Sequence, residues 1–106
     1  MEGSPYVVVF ITAGSPEEAH KVAEALLKQR IAACVNIVPE ILSFFWWEGH
    51  LDSEKETLLL VKTKASLLGD IVGLVKEVHS YDVPEIIALP IAGGNQDYLE
   101  WIGKEV

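Results

Sequence analysis

The chain has 106 residues, a length that suits one domain with a single hydrophobic core. Its 16 acidic and 8 basic residues give a net charge of -8, which argues against nucleic acid or an anionic membrane surface as a partner. One cysteine excludes an intrachain disulfide, and no apolar run approaches the ~20 residues that cross a bilayer. No secretory signal pattern is seen at the start, so we expect a cytoplasmic protein.

The first two elements are a strand and a helix. Residues 6–12 form a continuous, β-branched apolar run that predicts a central strand. Ser15, Pro16 and Glu18 then predict a helix start, with Ser15 as N-cap and Glu18 completing a capping box. An apolar stripe at helical spacing follows, and the helix is expected to end near Gln29-Arg30.

Residues 31–63 predict a long β-hairpin, which is the most unusual part of the sequence. Each arm has roughly twice the about 5–6 residues of a typical strand, with Pro39 marking a bulge. The turn is expected at Glu48-Gly49 or at residues 52–55. Residues 44–47 read Phe-Phe-Trp-Trp, and since successive side chains alternate, aromatic rings lie on both faces. We therefore predict that Phe44 to Trp47 contact another copy of the protein, and that Phe45→Ala or Trp47→Ala would loosen the assembly.

The remaining elements repeat the strand and helix pattern. Ser66 is the expected N-cap of a second helix that runs to Val78, and residues 79–84 form a loop. Residues 86–91 predict the last core strand, and Asn95 caps a short terminal helix.

The order βαββαβ plus a terminal helix predicts a single ferredoxin-like α+β domain over residues 1–106. Right-handed crossovers place both long helices on one face of a four-stranded antiparallel sheet. The other face is then expected to be bare, as a ligand surface or an interface. Cys34, with its apolar neighbours, is expected to be a buried thiol.

The segment 79–85 is the most favourable for chemistry. His79, Tyr81, Asp82 and Glu85 bring an imidazole, a phenol and two carboxylates together, a set that could bind a transition metal or position a proton. The alternative, favoured by spacing alone, is structural: His79 satisfies helix-end carbonyls while Tyr81 and Glu85 make hydrogen bonds. No set of nucleophile, base and oxyanion donors can be assembled, so we do not expect an enzyme.

Several motifs in combination resemble the CutA family of divalent-cation tolerance proteins, over about residues 7–102. The resemblance implies a ferredoxin-like protomer in a tight homotrimer similar to PII signalling proteins. It also implies a role in tolerance of copper and other divalent metals, without an established enzymatic activity. The motifs are Ala32-Ala33-Cys34-Val35-Asn36-Ile37-Val38-Pro39, Trp47-x-Gly49, Leu60-Val61-Lys62-Thr63, His79 to Pro90, and Gly94-Asn95-x-x-Tyr98-Leu99-x-Trp101-Ile102.

The resemblance also suggests metal ligands. Bacterial members that bind copper are expected to have a cysteine at the end of the first strand and two adjacent histidines at the end of the second helix. This chain has Ile11 at the first position and Val78-His79 at the second, so only His79 carries over. We expect weak or conditional binding of Cu²⁺ or another divalent metal by His79, with Glu85 or Asp82 as helpers.

Three functional hypotheses follow. The first is a non-enzymatic, homotrimeric metal-tolerance protein. The second is a PII-like signalling trimer that holds a small effector in inter-subunit clefts, lined by the loop near Tyr81 and by Lys62. The third is a stable trimer that acts through an unidentified protein partner.

Overall fold

The computed structural model describes residues 4–106, which form a four-stranded antiparallel sheet and three α-helices. The predicted order of strands and helices is confirmed. No helix in the described range combines the length and apolar character needed to cross a membrane. The elements are β1 (Tyr6–Ala13), α1 (Pro16–Lys28), β2 (Cys34–Trp47), β3 (His50–Lys64), a 3₁₀ turn (Ala65–Leu67), α2 (Leu68–Val78), β4 (Ile86–Pro90) and α3 (Gln96–Glu105).

The sheet has the strand order β2-β3-β1-β4, so β3 and β1 are central and β2 and β4 are edges. Helices α1 and α2 pack on the same face, where alternate side chains of β1 and β3 point. This layer is the hydrophobic core, as predicted from the apolar patterns. The fully or nearly buried members include Val9, Ile11, Val22, Leu26, Leu59, Val61, Ile71 and Val75.

The β2–β3 hairpin has strands of 14 and 15 residues. Its turn is at Glu48-Gly49, where φ is 48° and 81°, the left-handed pair that a tight hairpin turn requires. The alternative turn at residues 52–55 is wrong, because these residues lie within β3. The predicted bulge at Pro39 is confirmed by a register shift between Val38 and Ile41.

Three local predictions need correction. Ser66 lies inside the 3₁₀ turn, and α2 begins at Leu68 without a side-chain cap. Strand β2 begins at Cys34 and not at Ile31, because the chain after α1 first turns through Arg30 in the left-handed region. Cys34 is half-buried and not buried, because its side chain lies on the face opposite α1 and α2.

The second face of the sheet is not bare along its whole length. Lys64 Nζ donates to the carbonyl of Val106 at 2.8 Å, and the hydroxyl of Tyr6 lies against Gly103. Tyr6 and Lys64 alternate onto the face opposite α1 and α2, so α3 covers one end of that second face. The prediction that nothing in the chain covers this face is therefore wrong at that end.

Candidate functional site

A groove of about 890 Å³ lies at the other end of the second face, between the outer half of the hairpin and the loop that follows α2. Thr12 and Gly14, at the end of β1, form its floor. We call it the acidic groove. The hairpin wall consists of Ser43, Phe44, Phe45, Trp47, Asp52, Glu54 and Glu56, and the loop wall consists of Ser80, Tyr81, Asp82, Val83 and Glu85.

Strand register explains which hairpin side chains face the groove. Phe45 is paired with Asp52 across the hairpin, and Ser43 is paired with Glu54. Directly paired residues of neighbouring strands point to the same side of a sheet. The side chains of Phe45 and Ser43 therefore lie on the same face as the carboxylates of Asp52 and Glu54. We call Asp52, Glu54 and Glu56 the carboxylate row.

The groove is strongly anionic. The carboxylate row together with Asp82 and Glu85 places five carboxylates on its walls, and no Lys, Arg or His is among its lining residues. The Tyr81 hydroxyl donates a hydrogen bond of 2.9 Å to Glu56 Oε2. Partial burial, followed by this bond and the charge of Glu56, raises the pKa of Tyr81 far above its ordinary value. The phenol is therefore neutral at physiological pH, and the groove attracts cations.

His79 lies beneath the loop wall with its side chain fully buried. The backbone N–H of Tyr81 donates to His79 Nδ1 at 3.0 Å, so Nδ1 is the acceptor and Nε2 carries the proton. Nε2 lies 2.6 Å from the carbonyl oxygen of Thr12 and donates to it. Both ring nitrogens are therefore engaged within the protein, and neither presents a lone pair to the groove. Metal ligation by His79 stays a prediction that requires one of these bonds to open.

Glu18 joins the loop wall to the end of β1. Its Oε1 accepts from the Gly14 N–H at 3.0 Å, and its Oε2 accepts from the Ser80 N–H at 2.7 Å. Burial alone would raise the pKa of Glu18, but the hydrogen bonds from Gly14 and Ser80 outweigh it and lower the pKa. Glu18 is thus an ionised clamp that holds the loop in place.

The structure separates the residues predicted to bind metal. Glu85 and Asp82 are exposed and line the acidic groove, whereas His79 is buried outside it. Within residues 4–106, no group of three or more His, Cys, Asp or Glu side chains is placed to hold a metal ion. The predicted alternative for His79 also needs correction in detail, because its ring bonds the carbonyl of Thr12 on β1 and no helix-end carbonyl.

Sequence reasoning missed Glu18 and Glu56. The capping-box pattern identified Glu18, and the Glu18 N–H does donate to Ser15 Oγ at 3.1 Å. Its carboxylate, however, reaches past the N-cap to Gly14 and Ser80, a contact 62 residues away that no local pattern contains. The alternation of charge along β3 was the available signal for Glu56.

Lys62 does not line the groove. It lies on β3 six residues beyond Glu56, roughly 20 Å along the strand, and its Nζ donates to the side-chain oxygen of Asn36. Cys34 and Tyr98 lie at this same end. Burial, followed by the proximity of Cys34, raises the pKa of Tyr98.

The opposite side of the hairpin is apolar and open. Four side chains there are 61–72% exposed, which is unusual for large hydrophobic residues on adjacent strands. We call this set the apolar hairpin patch: Leu42, Phe44, Trp46 and Leu51. Phe44 also borders the acidic groove, although the strand register directs its side chain to the apolar side.

Comparison with known proteins gives a consistent result. The family model described as "CutA1 divalent ion tolerance protein" matches residues 7–105. "Divalent-cation tolerance protein CutA" from Thermus thermophilus is 50% identical over 95 residues, covering 90% of this chain and 92% of that protein. "Protein CutA 1, chloroplastic" from Oryza sativa is 49% identical over 98 residues, covering 92% of this chain and 55% of that protein. The chain thus spans about half the length of this plant relative.

Solved structures agree with the sequence matches. The structure of the "Periplasmic divalent cation tolerance protein CutA" from Archaeoglobus fulgidus superposes with a TM-score of 0.91 at 42% identity, covering 94% of this chain and 97% of that one. The crystal structure of CutA1 from Oryza sativa superposes with a TM-score of 0.92 at 47% identity, covering 97% and 94%. The descriptions of the Thermus thermophilus and Archaeoglobus fulgidus relatives name divalent-cation tolerance.

Proposed function

The chain belongs to the CutA1 family of divalent ion tolerance proteins, and on that premise we propose that it is a non-enzymatic, cytoplasmic homotrimer that acts in tolerance of divalent metals, copper included. The observation that carries the proposal is the acidic groove, where five carboxylates meet without a basic side chain among the lining residues. Such a surface concentrates divalent cations.

Cation binding to one protomer is expected to be weak. Tight transition-metal sites need three or four ligands in fixed geometry, and no such cluster is found in residues 4–106. Glu85 and Asp82 are accessible carboxylates that can each supply oxygen ligands. Binding becomes stronger when a second copy adds a ligand, as the sequence predicted. His79 can add a ligand through Nδ1 only after it releases the Tyr81 N–H.

The apolar hairpin patch supports assembly. In a monomer these four side chains would stay in water. Their burial against another copy would stabilise the assembly by roughly 25 cal/mol per Å² of apolar surface removed from water. The hairpin also extends the protomer to 43 Å along its longest axis, so its tip can reach a neighbour. A closed three-fold arrangement like that of the PII proteins is our proposal for the assembly.

Metal binding can be tested by calorimetry with Cu²⁺ and Zn²⁺. We expect weak isotherms for the wild type and a several-fold loss of affinity in Glu85→Gln, because the amide loses the charge. Glu40→Gln is the matched control, since Glu40 is also exposed on the hairpin but does not line the groove. An unchanged isotherm in Glu85→Gln would remove Glu85 from the ligand set, and an unchanged isotherm in His79→Ala would remove His79.

Assembly can be tested by sedimentation equilibrium. Leu51→Ala should shift trimer dissociation to higher protein concentration, because Leu51 belongs to the apolar hairpin patch. Leu27→Ala is the control, since Leu27 is also exposed but lies on α1. The same measurement on Phe45→Ala and Trp47→Ala checks the contacts predicted from the sequence. Equal behaviour of Leu51→Ala and Leu27→Ala would show that the patch does not mediate assembly.

A second function, a PII-like trimer that binds a small effector, is favoured by one observation. The acidic groove combines aromatic and aliphatic walls with polar groups, and its volume lies within the roughly 300–1,000 Å³ of small-molecule sites. A thermal-shift panel of nucleotides and metabolites tests it, because a ligand of the native state raises the melting temperature. A panel without any shift would contradict effector binding.

A further inference from the structure

The hairpin wall of the acidic groove carries a regular charge pattern beside aromatic rings. The carboxylate row consists of every second residue of β3, so the Cα atoms that bear neighbouring carboxylates are roughly 7 Å apart. Phe45 and Trp47 lie on the same face of the adjacent strand, opposite Asp52 and His50. Apolar surface and negative charge therefore alternate over a short distance.

The aromatic rings distinguish two kinds of cation. A hydrated metal ion uses carboxylate oxygens and gains little from a ring. An organic ammonium ion attached to methylene groups uses both, because the methylenes pack on the ring and the charge interacts with its face. Trp47 is 53% exposed, and Val83 on the loop wall adds further apolar surface.

We propose that the acidic groove binds a linear aliphatic polyamine, whose ammonium groups pair with the carboxylate row and whose methylene segments pack against Phe45 and Trp47. The inference rests on the effector-binding function above and names its ligand class. Ammonium groups separated by short methylene chains match the spacing of the row. The groove carboxylates can only accept hydrogen bonds, which suits a ligand that carries donors and no carbonyl oxygen.

Calorimetry with spermidine on the full chain in its native assembly tests the proposal. We expect Trp47→Leu and Glu54→Gln each to weaken spermidine binding by about tenfold, a loss of one ring contact or one charge pair. Trp101→Leu and Glu40→Gln are the controls, because both residues are exposed and neither lines the groove nor belongs to the apolar hairpin patch. They should leave the affinity unchanged.

Three outcomes would overturn the proposal. The first is no spermidine binding by the wild type. The second is equal weakening in the control variants, which is the behaviour of a diffuse counterion atmosphere. The third is binding of a tetralysine peptide without binding of spermidine, which would make the groove a peptide site.

Two further measurements keep the test decisive. The melting temperature and sedimentation of Trp47→Leu show whether this variant folds and assembles. If it does not, the spermidine affinity of Glu54→Gln, a substitution at an exposed residue, decides the test. If a different compound from the effector panel binds and Trp47→Leu weakens its binding, the effector function is supported and polyamines are excluded as the ligand class. If no compound binds, both fall.

Discussion

The clamp formed by Glu18 allows a quantitative prediction about stability. Glu18→Ala removes the acceptor for the N–H groups of Gly14 and Ser80. A hydrogen bond to a charged group contributes about 1.5–3 kcal/mol. Both donors belong to exposed residues and can bind water once released, so we expect the lower end of the range for each, a total loss of about 3 kcal/mol at pH 7. Glu18→Gln keeps one oxygen acceptor and should lose about half of this.

The pH dependence has a definite sign. The pKa of Glu18 is lower in the folded state than in the unfolded chain, so its ionised form stabilises the fold at neutral pH. This stability is lost as the pH falls through the folded pKa. The difference in the free energy of unfolding between wild type and Glu18→Gln should therefore have its full value at pH 7. It should narrow progressively below about pH 4.3, the ordinary pKa of a glutamate.

Guanidinium unfolding at fixed protein concentration measures these differences, because the proposed assembly would make the apparent stability depend on concentration. Glu17→Gln is the matched control, since Glu17 is an exposed carboxylate in the same first turn of α1. Amide hydrogen exchange at Ser80 should accelerate in Glu18→Gln alone. Equal destabilisation by Glu17→Gln, or a difference that stays constant down to about pH 3, would refute the clamp.

Two further predictions concern packing. Gly103→Ala places a methyl group 2.7 Å from the Tyr6 hydroxyl, so the end of the Tyr6 side chain must move and the gain in helix propensity is offset. Gly69→Ala, with nothing within 4 Å, should stabilise α2 by about 0.5–1 kcal/mol. Thermal unfolding of both variants checks that only Gly69→Ala raises the melting temperature. Thr57→Val removes the 2.8 Å hydrogen bond from Thr57 Oγ1 to the carbonyl of Pro39. The loss should be about 1–2 kcal/mol in denaturant unfolding, and no loss would show that the bond does not hold the bulge.

Most of the fold could be predicted because it depends on local signals. The continuous apolar run of β1, the capping residues of α1 and the Glu-Gly turn each act within a few residues. Ser66 was misread because a 3₁₀ turn can use the same residue types as a helix cap, and only the path from β3 into α2 distinguishes them. The position of α3 was missed because its contacts with Tyr6 and Lys64 join opposite ends of the chain.

The candidate site was predicted only in part. Glu85 and Asp82 line the acidic groove, since a loop after a helix exposes its charges, and their role as metal ligands stays a prediction. The buried position of His79 depends on the carbonyl of Thr12, 67 residues away in sequence, which no spacing rule contains. The acidic groove itself exists only because the hairpin folds toward that loop.

The bulge at Pro39 determines how the hairpin divides its aromatic residues. Without it, the pairing of Val38 with Leu58 would continue in step and place Phe45 opposite Leu51. Phe45 would then share a face with part of the apolar hairpin patch, because a shift of one residue moves every side chain to the other side. The extra residue instead places Phe45 opposite Asp52, on the side of the carboxylate row. One bulge therefore gives the hairpin two different faces, an apolar one suited to assembly and an aromatic, anionic one suited to binding.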